Sequence, residues 1–160
     1  MTVASGAAVY VDSSVIVAAL SADDPRHAAA RRVLQGQRLR ISSVLAEVEV
    51  RRALRRRGAD RRLEAAGRRL VATCELVEVA GEIRAAAAEL TPTILRSLDA
   101  IHLASALATG VTAFHTFDDR QRVAAEEAGL AVGSERTYPG SVPVATGREG
   151  SLTHSLHDPG

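Results

Sequence analysis

The sequence predicts an α/β fold in which a small parallel sheet is covered by helices on both faces. Short apolar runs alternate with helical patterns over residues 7–132. Two of these runs, 7–11 and 111–117, are almost continuously apolar, as strands buried on both faces usually are. An aspartate follows each of them, Asp12 and Asp118, and α/β sheets place their ligand sites at the carboxyl ends of their strands.

Five apolar runs predict a central parallel sheet of four to five strands. The third run alternates polar and apolar residues, which favours a position at or near an edge of the sheet. The predicted strands are 7–11, 38–42, 75–79, 111–116 and 130–132.

Seven helical segments fit between these strands. Pro25 suits the first turn of the second helix, Ser42 or Ser43 can cap the third, and Asp60 can cap the fourth. The third and fourth helices are separated only by a short break at Gly58, which predicts a helical arm. The predicted helices are 14–20, 25–34, 44–57, 61–72, 81–90, 98–108 and 120–128.

Composition limits the class of protein. With 160 residues and 46% hydrophobic content, the chain forms one domain with a substantial core, packed by aliphatic side chains because only 2% of residues are aromatic. The single cysteine, Cys74, excludes an internal disulfide framework and a cysteine-based zinc site, and we expect it in a buried strand.

No apolar stretch reaches the roughly 18 residues of a membrane span, and the first residues lack a secretory pattern. We therefore expect a cytoplasmic protein without a membrane partner, folded over 1–132, with an irregular or mobile tail at 133–160.

Arginine dominates the charge pattern. All 20 basic residues are arginine, although the net charge is only +1. Such a cluster can bind nucleic-acid phosphates, form a solvated helical face, or contact an acidic segment of a partner protein. The sequence alone leaves these three interpretations open. Nine of the arginines lie close together: Arg51, Arg52, Arg55, Arg56, Arg57, Arg61, Arg62, Arg68 and Arg69.

Acidic residues at the predicted carboxyl edge point to a metal site. Carboxylates gathered there repel one another unless a cation neutralises them. Asp12 and Asp99 also have ordinary alternatives, because aspartate caps helices and is favoured in their first turn. Two choices stay open on spacing alone: Glu47 or Glu49 in the third helix, and Asp118 or Asp119 after the fourth strand. His102 is interpreted as a structural hydrogen-bonding residue, since no second histidine has metal-ligand spacing.

Four short motifs, taken in order and spacing, are similar to one known family. The motifs are Val9-Tyr10-Val11-Asp12-Ser13-Ser14, Ser42-Ser43-Val44-Leu45 leading to Glu49-Val50-Arg51-Arg52-Ala53-Leu54, Leu98-Asp99-Ala100-Ile101-His102-Leu103-Ala104, and Thr116-Phe117-Asp118-Asp119-Arg120. Over residues 9–132 the chain resembles a PIN domain, and most closely the VapC ribonuclease toxins of bacterial toxin–antitoxin pairs.

The resemblance implies a three-layer PIN-like fold and a site built from Asp12, Glu49, Asp99 and Asp118. It selects Glu49 over Glu47 and Asp118 over Asp119, and leaves Asp119 as either a neighbour of the site or a helix cap. It implies that these acids hold Mg²⁺, or alternatively Mn²⁺, and hydrolyse RNA phosphodiester bonds with metal-activated water. The implied partners are an RNA substrate, a cognate antitoxin protein and a second copy of the chain in a homodimer.

Two other functions are compatible with parts of the pattern. A catalytically idle PIN-like module would bind RNA or protein without cleaving it, because a fold does not guarantee an activity. An aspartyl-phosphate hydrolase would use Asp12 as a nucleophile, but such enzymes usually need a second aspartate two positions later, where this chain has Ser14.

Overall fold

The computed structural model describes residues 8–36, 39–91 and 94–133. Its centre is a five-stranded sheet in the order β3-β2-β1-β4-β5, and every pair of neighbouring strands is parallel. The predicted parallel sheet is therefore confirmed, and the third strand lies at an edge as expected. The strands are β1 (Val9–Val11), β2 (Arg40–Ser43), β3 (Glu75–Val77), β4 (Ala113–His115) and β5 (Ala131–Gly133).

All seven predicted helices are present, and their ends lie within two residues of the expected ones. Asp60 caps the fourth helix by accepting a hydrogen bond from the Leu63 backbone N–H at 2.8 Å. The helices are α1 (Ser13–Leu20), α2 (His27–Gln35), α3 (Leu45–Arg56), α4 (Arg61–Val71), α5 (Gly81–Glu89), α6 (Ser97–Ala108) and α7 (Asp119–Glu127).

The central strand β1 separates two apolar cores. Because side chains alternate along a strand, Val9 and Val11 face one side and Tyr10 faces the other. Val9 and Val11 pack with residues of α1, α2, α3 and α4. Tyr10 packs with residues of α6 and α7 and with Phe114. The molecule thus has three layers, with the sheet between two groups of helices.

The predicted helical arm is the pair α3 and α4, and it is packed against the rest of its layer. Both helices contact each other and α1. A Cβ atom at Gly67 of α4 would lie 2.8 Å from Leu54 Cδ1 of α3, so glycine is what allows the close approach. This packing fixes which side of α3 faces α4 and which side faces away from it.

Other sequence predictions have mixed outcomes. Cys74 is buried, but it lies one residue before β3 rather than within a strand. Strand β5 includes Gly133, and the remainder of the predicted tail lies outside the described residues. Across the described ranges, no helix combines the length and apolar character needed to cross a bilayer.

Candidate functional site

The predicted acids lie at the carboxyl edge of the sheet, beside its central strand. Asp12 follows β1 directly, and Thr116 follows the neighbouring strand β4. In the sheet, β2 lies on one side of β1 and β4 lies on the other side. The chain connections at this edge therefore run to opposite sides, and a crevice opens between them at the strand ends. Parallel α/β sheets bind their ligands at such a position.

Asp12 is buried, with 3% of its surface exposed, and three hydroxyl groups hold its carboxylate. Ser14 Oγ donates to Oδ2 at 2.6 Å, Thr116 Oγ1 donates to the same oxygen at 2.9 Å, and Ser13 Oγ donates to Oδ1 at 3.2 Å. These donors are neutral. They orient the carboxylate without cancelling its charge.

Glu49 of α3 reaches the same point as Asp12. Its Oε2 lies 2.7 Å from His102 Nε2, and that nitrogen is 3.9 Å from Asp12 Oδ1. One ligand atom from each of the three side chains lies within 4.8 Å of the others. The choice of Glu49 over Glu47 agrees with this placement, because Glu47 is exposed on another face of α3.

His102 is fully buried and connects this group to the core. Its Nδ1 is 2.9 Å from the hydroxyl of Tyr10, which is also fully buried. The sequence interpretation of His102 as a hydrogen-bonding residue therefore agrees with the contacts. Tyr10 was not among the site residues predicted from the sequence. A hydroxyl in a strand buried on both faces needs a hydrogen-bond partner. The Tyr10 hydroxyl was therefore the signal in the sequence that a buried polar contact lies here.

The charges of these groups influence one another. Burial opposes ionisation of Glu49, but the hydrogen bond and charge of His102 outweigh it and hold the pKa of Glu49 below its ordinary value. Burial likewise opposes protonation of His102, but the hydrogen bond to Glu49 and the nearby Asp12 raise the pKa of the imidazole. Glu49 is therefore ionised at neutral pH.

Asp99, in the first turn of α6, lies next to this group but outside the 4.8 Å cluster. Its charge contributes to the raised pKa of His102, which places it within electrostatic reach. Its Oδ1 accepts a hydrogen bond from Gln121 Nε2 at 2.9 Å. Two buried oxygens here, Asp99 Oδ2 and Gln121 Oε1, have no hydrogen-bond partner in the described part of the chain.

Asp118 has a structural role as the cap of α7. Its Oδ1 accepts from the backbone N–H groups of Arg120 at 2.9 Å and Gln121 at 3.2 Å, so it caps α7. Its own N–H donates to Thr116 Oγ1 at 3.0 Å, and Thr116 in turn holds Asp12. Asp119 projects outward with 94% of its side chain exposed. Thr116 therefore links Asp118, but not Asp119, to the Asp12 carboxylate.

The donor set suits a hard divalent cation. Asp12, Glu49 and Asp99 supply carboxylate oxygens, the ligand type that Mg²⁺ and Mn²⁺ prefer. His102 is the one positively chargeable side chain that contacts them among the described residues. Two unpartnered oxygens add acceptors that a cation or its water shell can satisfy. The residues therefore fit a metal centre.

Comparison with known proteins agrees with this geometry. A PIN domain model matches residues 9–127. Ribonuclease VapC46 of Mycobacterium tuberculosis is 45% identical over 128 residues, which span 79% of this chain and 96% of that protein. Ribonuclease VapC35 of the same species is 36% identical over 129 residues, 78% of this chain and 94% of that protein.

Solved structures share the fold. The Sarcin-Ricin loop cleaving toxin VapC20 of Mycobacterium tuberculosis matches with a TM-score of 0.63 at 23% identity, over 72% of this chain and 94% of that one. A chain of VapBC2 from Rickettsia felis, bound to a DNA fragment from its promoter, matches with a TM-score of 0.55 at 10% identity, over 79% and 97%. With its matched domain model and its curated relatives, the chain belongs to the PIN-domain family and, within it, to the VapC group.

Proposed function

We propose that the protein is a metal-dependent endoribonuclease and the toxin of a toxin–antitoxin pair. The observation that carries the proposal is the convergence of the Asp12 and Glu49 carboxylates on one point at the carboxyl edge of β1. A relative 45% identical over most of the chain carries the name ribonuclease. The idle-module alternative is less favoured, because a module that only binds has no use for a buried, oriented carboxylate.

Each acid has a proposed part in the site. Asp12 and Asp99 hold Mg²⁺ or Mn²⁺, and Asp118 completes the site directly or through water. Glu49 binds a second cation or orients the attacking water. When bound at these residues, a divalent cation would supply an activated water and would stabilise the negative charge that develops on the scissile phosphate.

The protein groups around the acids provide rigidity. Ser13, Ser14 and Thr116 fix the rotamer of Asp12, so no reorientation is required when an RNA phosphate arrives. The cap on α7 fixes Asp118 in the same way. His102 holds Glu49 toward Asp12.

The proposed partners follow from this function. RNA is the substrate, and the protein therefore acts in the cytoplasm. A cognate antitoxin covers the site when the toxin is inactive. The toxin forms a homodimer.

Metal dependence tests the proposed function directly. We expect the purified, chelator-treated chain to leave a fluorogenic single-stranded RNA intact, and Mg²⁺ or Mn²⁺ to restore cleavage. The physical reason is that the clustered carboxylates cannot approach a phosphate until a cation neutralises them. Fluorescence gain and gel analysis of the fragments measure the reaction. RNA binding without cleavage at any cation concentration would instead identify the idle module.

A further inference from the structure

The first inference concerns a cavity of about 690 Å³ that opens directly beside the acidic site. Its wall includes Glu49, together with Ser13 and Ser14, which hold Asp12. The cavity and the acidic site are therefore continuous. A ligand bound at the carboxylates extends naturally into this space.

Helix α3 carries arginines on two of its faces. Arg55 and Arg51 face α4, where their Nε atoms lie 3.0 and 3.7 Å from the carboxylate of Glu64. Arg52 and Arg56 line the cavity instead. This division follows from helix geometry, since residues three, four and seven positions after Glu49 share its face.

Arg52 and Arg56 differ from the other cavity arginines in their charge balance. Both are exposed, and no carboxylate of the described residues lies within ion-pair distance of either. The other two arginines in the wall, Arg26 and Arg57, bind Asp24 at 2.9 and 3.4 Å. The cavity therefore has two guanidinium groups whose charge no neighbouring carboxylate neutralises.

We propose that Arg52 and Arg56 bind backbone phosphates of the RNA next to the one that is cleaved; this inference rests on the proposed function. Guanidinium groups match phosphate oxygens and keep their charge at every physiological pH. Along α3, Arg52 and Arg56 lie roughly 4.5 and 10.5 Å beyond Glu49 at about 1.5 Å per residue. They form a short basic track that begins at the site.

Other features of the cavity favour a nucleic-acid strand over an acidic protein segment. The track starts at the carboxylates, where the scissile phosphate must lie. Val48 and Leu98, in the same wall, are 58% and 46% exposed and offer apolar surface to unstacked bases. An unpaired RNA strand has both the phosphates and the bases to use these surfaces.

A pair of double variants with equal charge change tests this track. We expect Arg52→Gln/Arg56→Gln to raise KM for a single-stranded RNA roughly tenfold with kcat nearly unchanged, as the loss of two exposed ion pairs implies. When this double variant and its control each also carry Asp12→Asn, RNA affinity can be measured without cleavage. There the salt dependence should weaken by about 1.4 in log–log slope, close to 0.7 for each phosphate that the variant no longer binds.

Arg51→Gln/Arg55→Gln is the matched control, because it removes the same charge from the face of α3 that binds Glu64. Equal effects of both double variants on KM and on the slope would mean that the overall positive charge of α3, and not this track, attracts the RNA. That result would overturn the inference. So would an unchanged slope, or a loss of affinity for an acidic peptide without loss for RNA. If the unmodified chain neither binds nor cleaves RNA, the proposed function itself fails, and this inference fails with it.

A second inference comes from the buried hydrogen bonds behind Glu49. We infer that His102 and Tyr10 are positioning residues that hold the Glu49 carboxylate toward Asp12, where it contributes to the metal site. A carboxylate only accepts hydrogen bonds, so Nε2 of His102 carries the proton that binds Glu49 at 2.7 Å. The Tyr10 hydroxyl at 2.9 Å fixes the other side of the ring. Tyr10 is itself held by stacking on Phe114, with ring centroids 5.2 Å apart.

Mn²⁺ affinity, measured by electron paramagnetic resonance without RNA, tests these positioning roles. We expect His102→Leu to weaken Mn²⁺ binding roughly 10- to 100-fold, the usual cost of losing a group that orients a ligand. His102→Gln should recover part of this loss, because its amide can still donate to Glu49. Tyr10→Phe should weaken binding by a smaller factor while retaining the ring that packs on Phe114.

The result can also contradict the inference. Wild-type Mn²⁺ affinity in Tyr10→Phe and in folded His102→Leu would leave both residues with a purely structural role. A nitrogen coupling typical of a directly bound imidazole would make His102 a ligand instead of a positioning residue. If His102→Leu does not fold, His102→Gln and Tyr10→Phe decide the question.

Discussion

Asp12→Asn is expected to reduce metal-dependent RNA cleavage by roughly a thousandfold or more while the protein remains folded. The side chain keeps its size, but the charge that faces Glu49 and the proposed cation is lost. Metal-assisted stabilisation of a transition state amounts to several kcal/mol, and each ~1.4 kcal/mol corresponds to a tenfold change in rate. Initial rates at saturating Mg²⁺, with circular dichroism to confirm folding, measure the effect.

The matched control for Asp12 is Asp23→Asn. Asp23 is exposed in the turn between α1 and α2, so its substitution changes the net charge equally without touching the site. We expect the control to cleave RNA at the unmodified rate. Cleavage by Asp12→Asn within tenfold of the unmodified protein would remove Asp12 from the proposed metal site.

Asp99→Asn is expected to abolish cleavage and yet leave the metal-free protein at least as stable as before. The reason lies in Asp99 Oδ2, which is buried without a partner among the described residues. Burying an unpaired charged oxygen costs free energy, so removing the charge relieves part of that cost. Activity and metal-free stability should therefore change in different directions.

Thermal unfolding without Mn²⁺ measures the metal-free stability, and the rise in Tm when Mn²⁺ is added measures metal binding. At a cation concentration near 100 Kd, binding stabilises a protein by about 2.7 kcal/mol, which raises Tm by roughly 5–10 °C for a domain of this size. Asp99→Asn should lose most of that rise. Asp60→Asn is the control, because Asp60 caps α4 away from the site and asparagine caps equally well. A full Mn²⁺-induced rise in Asp99→Asn would exclude Asp99 as a ligand.

Much of the fold could be predicted from local patterns. The apolar runs of β1 and β4 and the cap at Asp60 depend on residues that are neighbours in sequence. Small errors arose where a tertiary contact decides an element's end. Ser43, for example, completes β2 by pairing with Val77, and its hydroxyl also accepts from the Leu45 N–H at the start of α3 at 3.3 Å, as expected of a capping side chain.

The site was only partly predictable, because its contacts join distant residues. The location of Asp12 followed from the strand before it. The choice between Glu47 and Glu49 required the resemblance to a family, since helical spacing does not say which face of α3 meets β1. The hydrogen bond from Gln121 to Asp99 left no local trace, because it depends on how α6 and α7 pack. The catalytic and metal-binding roles of all four acids stay predictions.

The hydrogen bond between Thr116 and Asp12 joins residues 104 positions apart. During synthesis, Asp12 leaves the ribosome long before Thr116, which follows β4, and translation proceeds at roughly 5–20 residues per second. A nascent chain therefore holds an incomplete set of groups around Asp12 until nearly the whole domain has emerged. The order of the sequence therefore delays assembly of the groups around Asp12 until β4 and Thr116 have been synthesised.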